Sequence, residues 1–359
     1  MLDKPIFASV ARHAGRSPQR GAALLMAMVI VTLVSTLAAS MVWQQWRAVQ
    51  VESAERVRSQ SAWVLSGALD WARLILREDG KNEQVDHLGE VWAMPLAEAR
   101  LSTFLAADAN NSAADSDDSP EAFLSGKVDD AHAKYNLRRL VDGVAVNETE
   151  VKVFKRLLEF LSLPPSLADG IAASMTKAAL AEASFVSNDP AVLEKLGGEV
   201  GRAQAPLMPQ SFDQLLWLGL DAGTLEKLRP YVTLLPTAGT LVNINTAPKE
   251  VIAAVVDGLD LARAARLVQA RQRKPFKNLD DDVRAVLGAG PGPSNGWGLA
   301  NHLDVRSEYF EVKGRLRFED NVIEQRHLVQ RQSGGSDVLV LQQSRFSGLD
   351  RGAEGVTPP

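Results

Sequence analysis

SPQRGAALLMAMVIVTLVSTLAASMVWQQW, Ser17 to Trp46, is the stretch on which the reading of this chain turns. A basic leader ends at Arg20, and the 26 residues from Gly21 through Trp46 then pass without a charge. At ~1.5 Å of rise per helical residue such a run reaches ~39 Å, more than the ~30 Å of a bilayer's hydrocarbon core. The leader sets Lys4, Arg12, Arg16 and Arg20 against Asp3. A positive cluster of that kind stays cytoplasmic and leaves the rest of the chain on the far side. Three fates compete for the run. A secretory signal would be cut behind it, where Leu37-Ala38-Ala39 offers small residues, although the run is long for a signal core. A plain anchor would keep its leader. A cut between Gly21 and Ala22 would remove the leader and keep the helix as both anchor and spine.

The helix continues outward. Between Arg47 and Arg77 there is no proline, and Gly67 is the only glycine. Val57, Val64, Ala68, Leu69, Trp71, Ala72, Ile75 and Leu76 fall near helical spacing. Glu78-Asp79-Gly80 predicts the end of the helix, glycine being a common terminator. From Ala22 to about Glu78 it would run roughly 85 Å.

At the other end of the chain, FEVKGRLRFE (Phe310–Glu319) alternates strictly. Phe310, Val312, Gly314, Leu316 and Phe318 share one face; Glu311, Lys313, Arg315, Arg317 and Glu319 share a wet one. VIEQRHLVQRQ can return and VLVLQQSRF can add a third strand, giving the long helix an antiparallel sheet to pack on. Glu311 and His327 are read as solvated strand residues without a catalytic role.

Between these ends the chain turns helical. DANNSAADSDDSPE (Asp108–Glu121) reads as a solvated acidic loop in which Asp115, Asp117 and Asp118 are candidate ligands for a hard cation, though the spacing is not that of an EF-hand. A weak repeat follows. KYNLRRL leads into EVKVFKRLLEFLSLPPSLADGIAASM, and LVNINTAP leads into KEVIAAVVDGLDLARAARLVQAR. In the second unit Asn245-Thr246 before Pro248 predicts a cap with proline in the first turn, and Gly258 supplies the turn between two helices.

The totals limit the function. With 359 residues, 46% hydrophobic and 23% charged, two or three domains with real cores are expected. A net charge of −5 argues against a chain that binds nucleic acid along its length. The lack of cysteine excludes disulfides and thiolate chemistry, and the five histidines show no H-x-x-x-H pair. No set of nucleophile, base and orienting group is visible, so a non-enzyme is expected.

Arg-Gly followed by Ala-Ala-Leu-Leu and a long apolar helix resembles the class III leader of type IV pilins and type II secretion pseudopilins. The resemblance implies that a prepilin peptidase cuts after Gly21 and methylates the new terminus at Ala22. Most relatives carry Glu at the fifth mature position, where it meets a neighbouring subunit's amino terminus. Here that position is Met26, and lack of the Glu marks the K-type minor subunit. RPYVTLLPTAGTLVNINTAP (Arg229–Pro248), SFDQLLWLGL before it and VDHLGEVWAMPL (Val85–Leu96) resemble that subunit narrowly.

An α+β, pilin-like fold is therefore expected: a long transmembrane helix packed on an antiparallel sheet, with a large α-helical insertion. The expected bounds are a leader at 1–21, the helix at 22–79, the first part of the pilin domain at 80–134, and the insertion at 135–300. Strands at 301–347 and a tail at 348–359 complete the chain. The resemblance implies a pseudopilus tip cap that starts assembly with minor subunits of the I and J types, and with the H type as a further partner. It also implies contacts with the major pseudopilin, the prepilin peptidase and the inner-membrane secretion platform. The chain would sit in a bacterial inner membrane with its bulk periplasmic. Family members bind Ca²⁺, yet the span Asp169 to Met208 lacks the aspartate-rich stretch that relatives carry there.

A rival resemblance concerns NINTAP onward, which is similar to the helix-hairpin-helix modules of the competence DNA receptor. Such modules grip phosphate with a glycine-rich turn. Here the turn is Asp257-Gly258-Leu259-Asp260, with two carboxylates where phosphate would approach. Between Asn243 and Leu287 eight basic residues, Arg271 and Arg273 among them, face six acidic ones, a net of +2 that is small for counterion release. A structural module is the better reading, and a membrane-anchored DNA receptor is the alternative.

Overall fold

The computed structural model describes residues 20–82, 85–101, 122–187, 190–292, 296–318, 321–332 and 337–349. The chain divides into two compact units, Met1–Ala62 and Trp63–Pro359. Helix α1 (Arg20–Asn82) begins in the first. It holds an eighteen-residue window of mean hydropathy 2.4, none of it buried, and is long and apolar enough to cross a membrane. Inside that apolar stretch the hydroxyls of Thr32, Thr36 and Ser40 donate to the carbonyls three residues back, at 2.8–2.9 Å. Their polar groups are thus satisfied within the helix, as hydrocarbon demands. Trp43 and Trp46, with ring centroids 5.5 Å apart, close the run; such rings favour the membrane–water boundary.

In the second unit α1 buries Leu65, Ala72 and Leu76 against a sheet. The strands are β1 (Leu96–Arg100), β2 (Ala122–Asp130), β9 (Tyr309–Phe318), β10 (Asn321–Arg331) and β11 (Val338–Leu349). They lie side by side in the order β1-β2-β9-β10-β11 with every pairing antiparallel. Trp92 packs edge-on to Phe310 at 5.2 Å between ring centroids, and both are buried. Burial of side chains such as Phe310 or Leu76 contributes about 1.5–3 kcal/mol each, which is what fastens the helix to the sheet.

Several readings of the sequence need correction here. The helix does not stop at Glu78-Asp79-Gly80 but runs on to Asn82, because Gly80 adopts no left-handed turn. The sheet has two more strands than the C-terminal run supplies, since β1 and β2 precede the insertion. The charged face of β9 is only partly open to water: Glu311 and Lys313 are half-buried, and Lys313 Nζ lies 3.0 Å from Asp129. His327 is not an outer-face residue either. It is buried, and burial pushes its imidazole pKa down.

Between β2 and β9 the helices α2 (Glu148–Phe160), α3 (Ser166–Ser187), α4 (Pro190–Lys195), α5 (Gly198–Ala203), α6 (Ala222–Leu228), α7 (Lys249–Val255), α8 (Leu261–Arg273) and α9 (Leu279–Leu287) follow in order. One apolar cluster joins Phe154, Leu157, Ile171, Met175, Ile252, Leu267 and Val283. Each Asn-containing lead-in forms half of a two-residue parallel pair: Tyr135–Asn136 (β3) with Val232–Thr233 (β6), and Val242–Asn243 (β7) with Leu303–Asp304 (β8); a short antiparallel pair, Val141–Asp142 (β4) with Ala145–Val146 (β5), follows the first lead-in. Gly258 makes the expected turn between α7 and α8 at φ +71°. The expected cap does not form: Pro248 itself occupies the N-cap position of α7, and Asn245 and Thr246 are used elsewhere.

Candidate assembly surface and its buried junction

Gly21 and Ala22 lie within the first turn of α1, and Ala22 is exposed. Met26 is exposed as well, at 65%. Among the described residues none covers Ala22 or Met26. Asp115, Asp117 and Asp118 lie outside the described residues.

The junction between sheet and insertion is built from polar side chains with very distant sequence positions. Asp130, at the end of β2, accepts from the Thr246 hydroxyl at 2.5 Å, the Ser307 hydroxyl at 2.7 Å, the Asn243 amide at 3.2 Å and the His132 N–H at 2.8 Å. Burial pushes its carboxyl pKa up, while His132, Thr246 and Ser307 oppose that shift. Asn243 also donates to the Asp86 carbonyl at 3.0 Å. Asp86 in turn receives both Arg331 Nη2, at 2.5 and 2.7 Å, and the Ser307 N–H at 2.7 Å. Asn136 does the same work in the first lead-in, donating to Thr237 and Thr240 and accepting from the Leu235 and Arg138 N–H groups. The asparagines of the repeat are pins: Asn136 reaches Thr237 and Thr240, 101 and 104 residues away, and Asn243 reaches Asp130 and Asp86, 113 and 157 residues away.

Two glutamates sit in contrasting nests. Glu150, in the first turn of α2 behind the Asn147 cap, receives Arg139 at 2.6 Å and His302 Nε2 at 3.1 Å. Burial alone would raise its pKa, but those two donors and their charge hold it down at about 2. Glu90 accepts from the Trp92 indole, and burial together with the nearby Asp79 pushes its pKa up to about 8. Asp79, Asp86 and Glu90 bring ligand atoms within 4.8 Å of one another. Arg331 already occupies that space, 2.6 Å from Asp79 and hydrogen-bonded to Asp86. In the span Asp169–Met208, Asp169 is exposed and paired with Lys155 at 2.8 Å. The described residues therefore do not make a fitting calcium site there.

At the helix-hairpin-helix turn, Asp257 pairs with Arg156 and Asp260 caps α8 through the Arg263 N–H at 2.7 Å. Arg271 turns inward and donates to the carbonyls of Ile244 and, at 2.6 Å, Ala247; burial lowers its pKa to about 10. One of the two arginines best placed by sequence to meet a phosphate is thus used to hold the NINTAP segment. No local signal distinguished Arg271 from Arg273. The partners of Asp86, Asp130 and Arg331 were beyond sequence reasoning for the same reason, while the repeated asparagines were a usable hint.

Long apolar N-terminal helix, antiparallel sheet and inserted helical lobe together define a pilin-type subunit of the pseudopilin class. The family described as type II secretion system protein K matches residues 133–237 and 242–306. The protein K of Klebsiella pneumoniae is 30% identical over 271 residues, spanning 70% of this chain and 75% of the relative. Those of Pseudomonas aeruginosa and Pectobacterium carotovorum are each 28% identical, over 85% and 89% of this chain. A chain of the GspK-GspI-GspJ complex from enterotoxigenic Escherichia coli shares the fold at TM-score 0.58 and 22% identity, covering 82% of this chain and 98% of that one. The chain belongs to the type II secretion system protein K family, whose members are structural pseudopilins rather than enzymes.

Proposed function

We propose that the chain is a minor pseudopilin that is cut between Gly21 and Ala22, methylated at Ala22, and retained in the inner membrane by α1 with its bulk in the periplasm. It joins subunits of the I and J types and caps the pseudopilus tip, where it helps start assembly for export of folded proteins. Membership in the protein K family carries this reading, and the solved complex of a related fold with I- and J-type subunits supports the choice of partners. Met26 fits it: a subunit at the tip has no amine above it to neutralise, so a buried carboxylate would be a cost without a partner. The helical lobe supplies bulk that obstructs addition of a further subunit.

The test is co-expression of the full chain with prepilin peptidase and the I- and J-type subunits of the same system, followed by detergent extraction and size-exclusion chromatography. A ternary complex is expected. A chain that elutes alone and binds duplex DNA in a salt-dependent manner would support the receptor reading instead.

A further inference from the structure

A cleft of about 130 Å³ lies between β9, β10 and β11 of the sheet and the lobe segments around Phe212 and Thr233. At ~30 Å³ per water it has room for about four waters, or for one small ion. Among the described residues four cations line it: Lys134, Arg229, Lys313 and Arg326. The two carboxylates on the lining are already engaged, Asp213 by Arg229 at 2.7 Å and Glu311 by Lys313 at 3.4 Å. Both arginines lie over rings, Arg229 on Phe212 at 5.0 Å and Arg326 on Phe346 at 4.8 Å. Such stacking fixes the plane of a guanidinium before any ligand arrives.

A surplus of donors sets this cleft apart. Among the described residues no hydrogen bond or ion pair reaches Lys134 Nζ. Arg326 gives Nε to Glu324 at 2.5 Å, and its two Nη groups meet no described partner. The lining hydroxyls of Thr233 and Ser344 meet none either. Burial pushes the Lys134 ammonium pKa down, and the nearby Lys313 and Arg229 add to that against the pull of Glu311 and Asp129. An ammonium withdrawn from water without a partner is a cost to the fold, and an aliphatic side chain would serve packing better. A metal ion would be repelled by the lining cations, and an apolar ligand would leave the donors unmet. An acceptor-rich, negatively charged group answers both conditions.

We propose that this cleft binds a small oxyanion, a carboxylate or phosphate group, with Lys134 and the Nη groups of Arg326 as its principal donors. The full chain in detergent micelles is trace-labelled with acetic anhydride at mildly alkaline pH and constant ionic strength. Sodium chloride, phosphate and acetate are compared, and labelling of each lysine is read by peptide mass spectrometry. Phosphate, acetate or both should slow labelling of Lys134 at least about threefold relative to chloride, because a bound anion favours the ammonium. Exposed Lys152 and Lys227 should be unchanged. Protection by phosphate alone identifies a phosphate group, and protection by acetate a carboxylate. Arg326→Gln, which leaves Lys134 in place, should reduce the protection.

Lys134→Met gives a second readout. In chloride its thermal midpoint should equal that of wild type or exceed it by up to about 4 °C, and the rise that the protecting anion gives the wild type should vanish. Equal labelling of Lys134 in all three salts overturns the site. So does a Lys134→Met chain that keeps the anion response. A Lys134→Met midpoint well below wild type in chloride gives the ammonium a structural duty and rejects the proposal as well.

Discussion

Glu150 and Glu90 are both buried glutamates at the start of a helical turn, yet their surroundings push them in opposite directions. Around Glu150 the near groups are Arg139 and His302, and the carboxylate stays charged down to about pH 2. Around Glu90 the near charge is Asp79, and the same side chain keeps its proton to about pH 8. Burial penalises charge in both places; the neighbours decide which form survives. The first nest holds the helical lobe together. The second lies where α1, β10 and the lobe meet, and there Arg331 carries the positive charge shared by Asp79 and Asp86.

That contrast can be broken at several points. The largest effect is expected from Arg331→Met, which leaves Asp79 and Asp86 facing each other without their cation. A loss of about 3–5 kcal/mol in denaturant unfolding at pH 7 is expected. Asn243→Ala comes next, at about 2–3 kcal/mol by the same measurement, because Asp130, Ser307 and the Asp86 carbonyl all lose a donor.

The two glutamates themselves give pH signatures of opposite sign. Glu150 has a folded pKa below its unfolded value of 4.5, so its contribution is complete above about pH 4.5 and is lost as pH falls through about 2. Glu150→Gln should flatten that acid limb by an amount of order 2 kcal/mol. Glu90 has a raised folded pKa, so its contribution is complete below 4.5 and is lost as pH rises through about 8. Glu90→Gln, neutral at every pH, should stay within about 0.5 kcal/mol of wild type near pH 4 and become the more stable of the two as pH rises from 4.5 through about 8. Equal pH profiles for the two variants would break the comparison.

Much of the architecture was legible because it is written in local patterns. The uncharged run gave α1, strict alternation gave β9, and Gly258 gave the hairpin turn. The departures have physical causes. Gly80 was read as a stop, but glycine terminates a helix only where the backbone takes the left-handed turn, and here it does not. LAEAR and AFLSGKVDD, which form β1 and β2, lack clean alternation: β1 is an edge strand, and Gly126 leaves β2 without a side chain at that position. His327 was assigned to the wrong face because the inner face of β10 carries Gln325, His327 and Arg331, inverting the usual polarity. The buried junction was hidden altogether, since Asp86 and Arg331 lie 245 residues apart and no periodicity brings them together.

The proposed function turns on one bond in the stretch from Ser17 to Trp46. Intact-mass spectrometry and N-terminal sequencing of the full-length chain, purified from cells with and without prepilin peptidase, test it directly. The account predicts a mature chain beginning at methylated Ala22 when the peptidase is present and an unprocessed leader when it is absent. A chain that keeps Met1 in both, or that begins near Ser40, would contradict it.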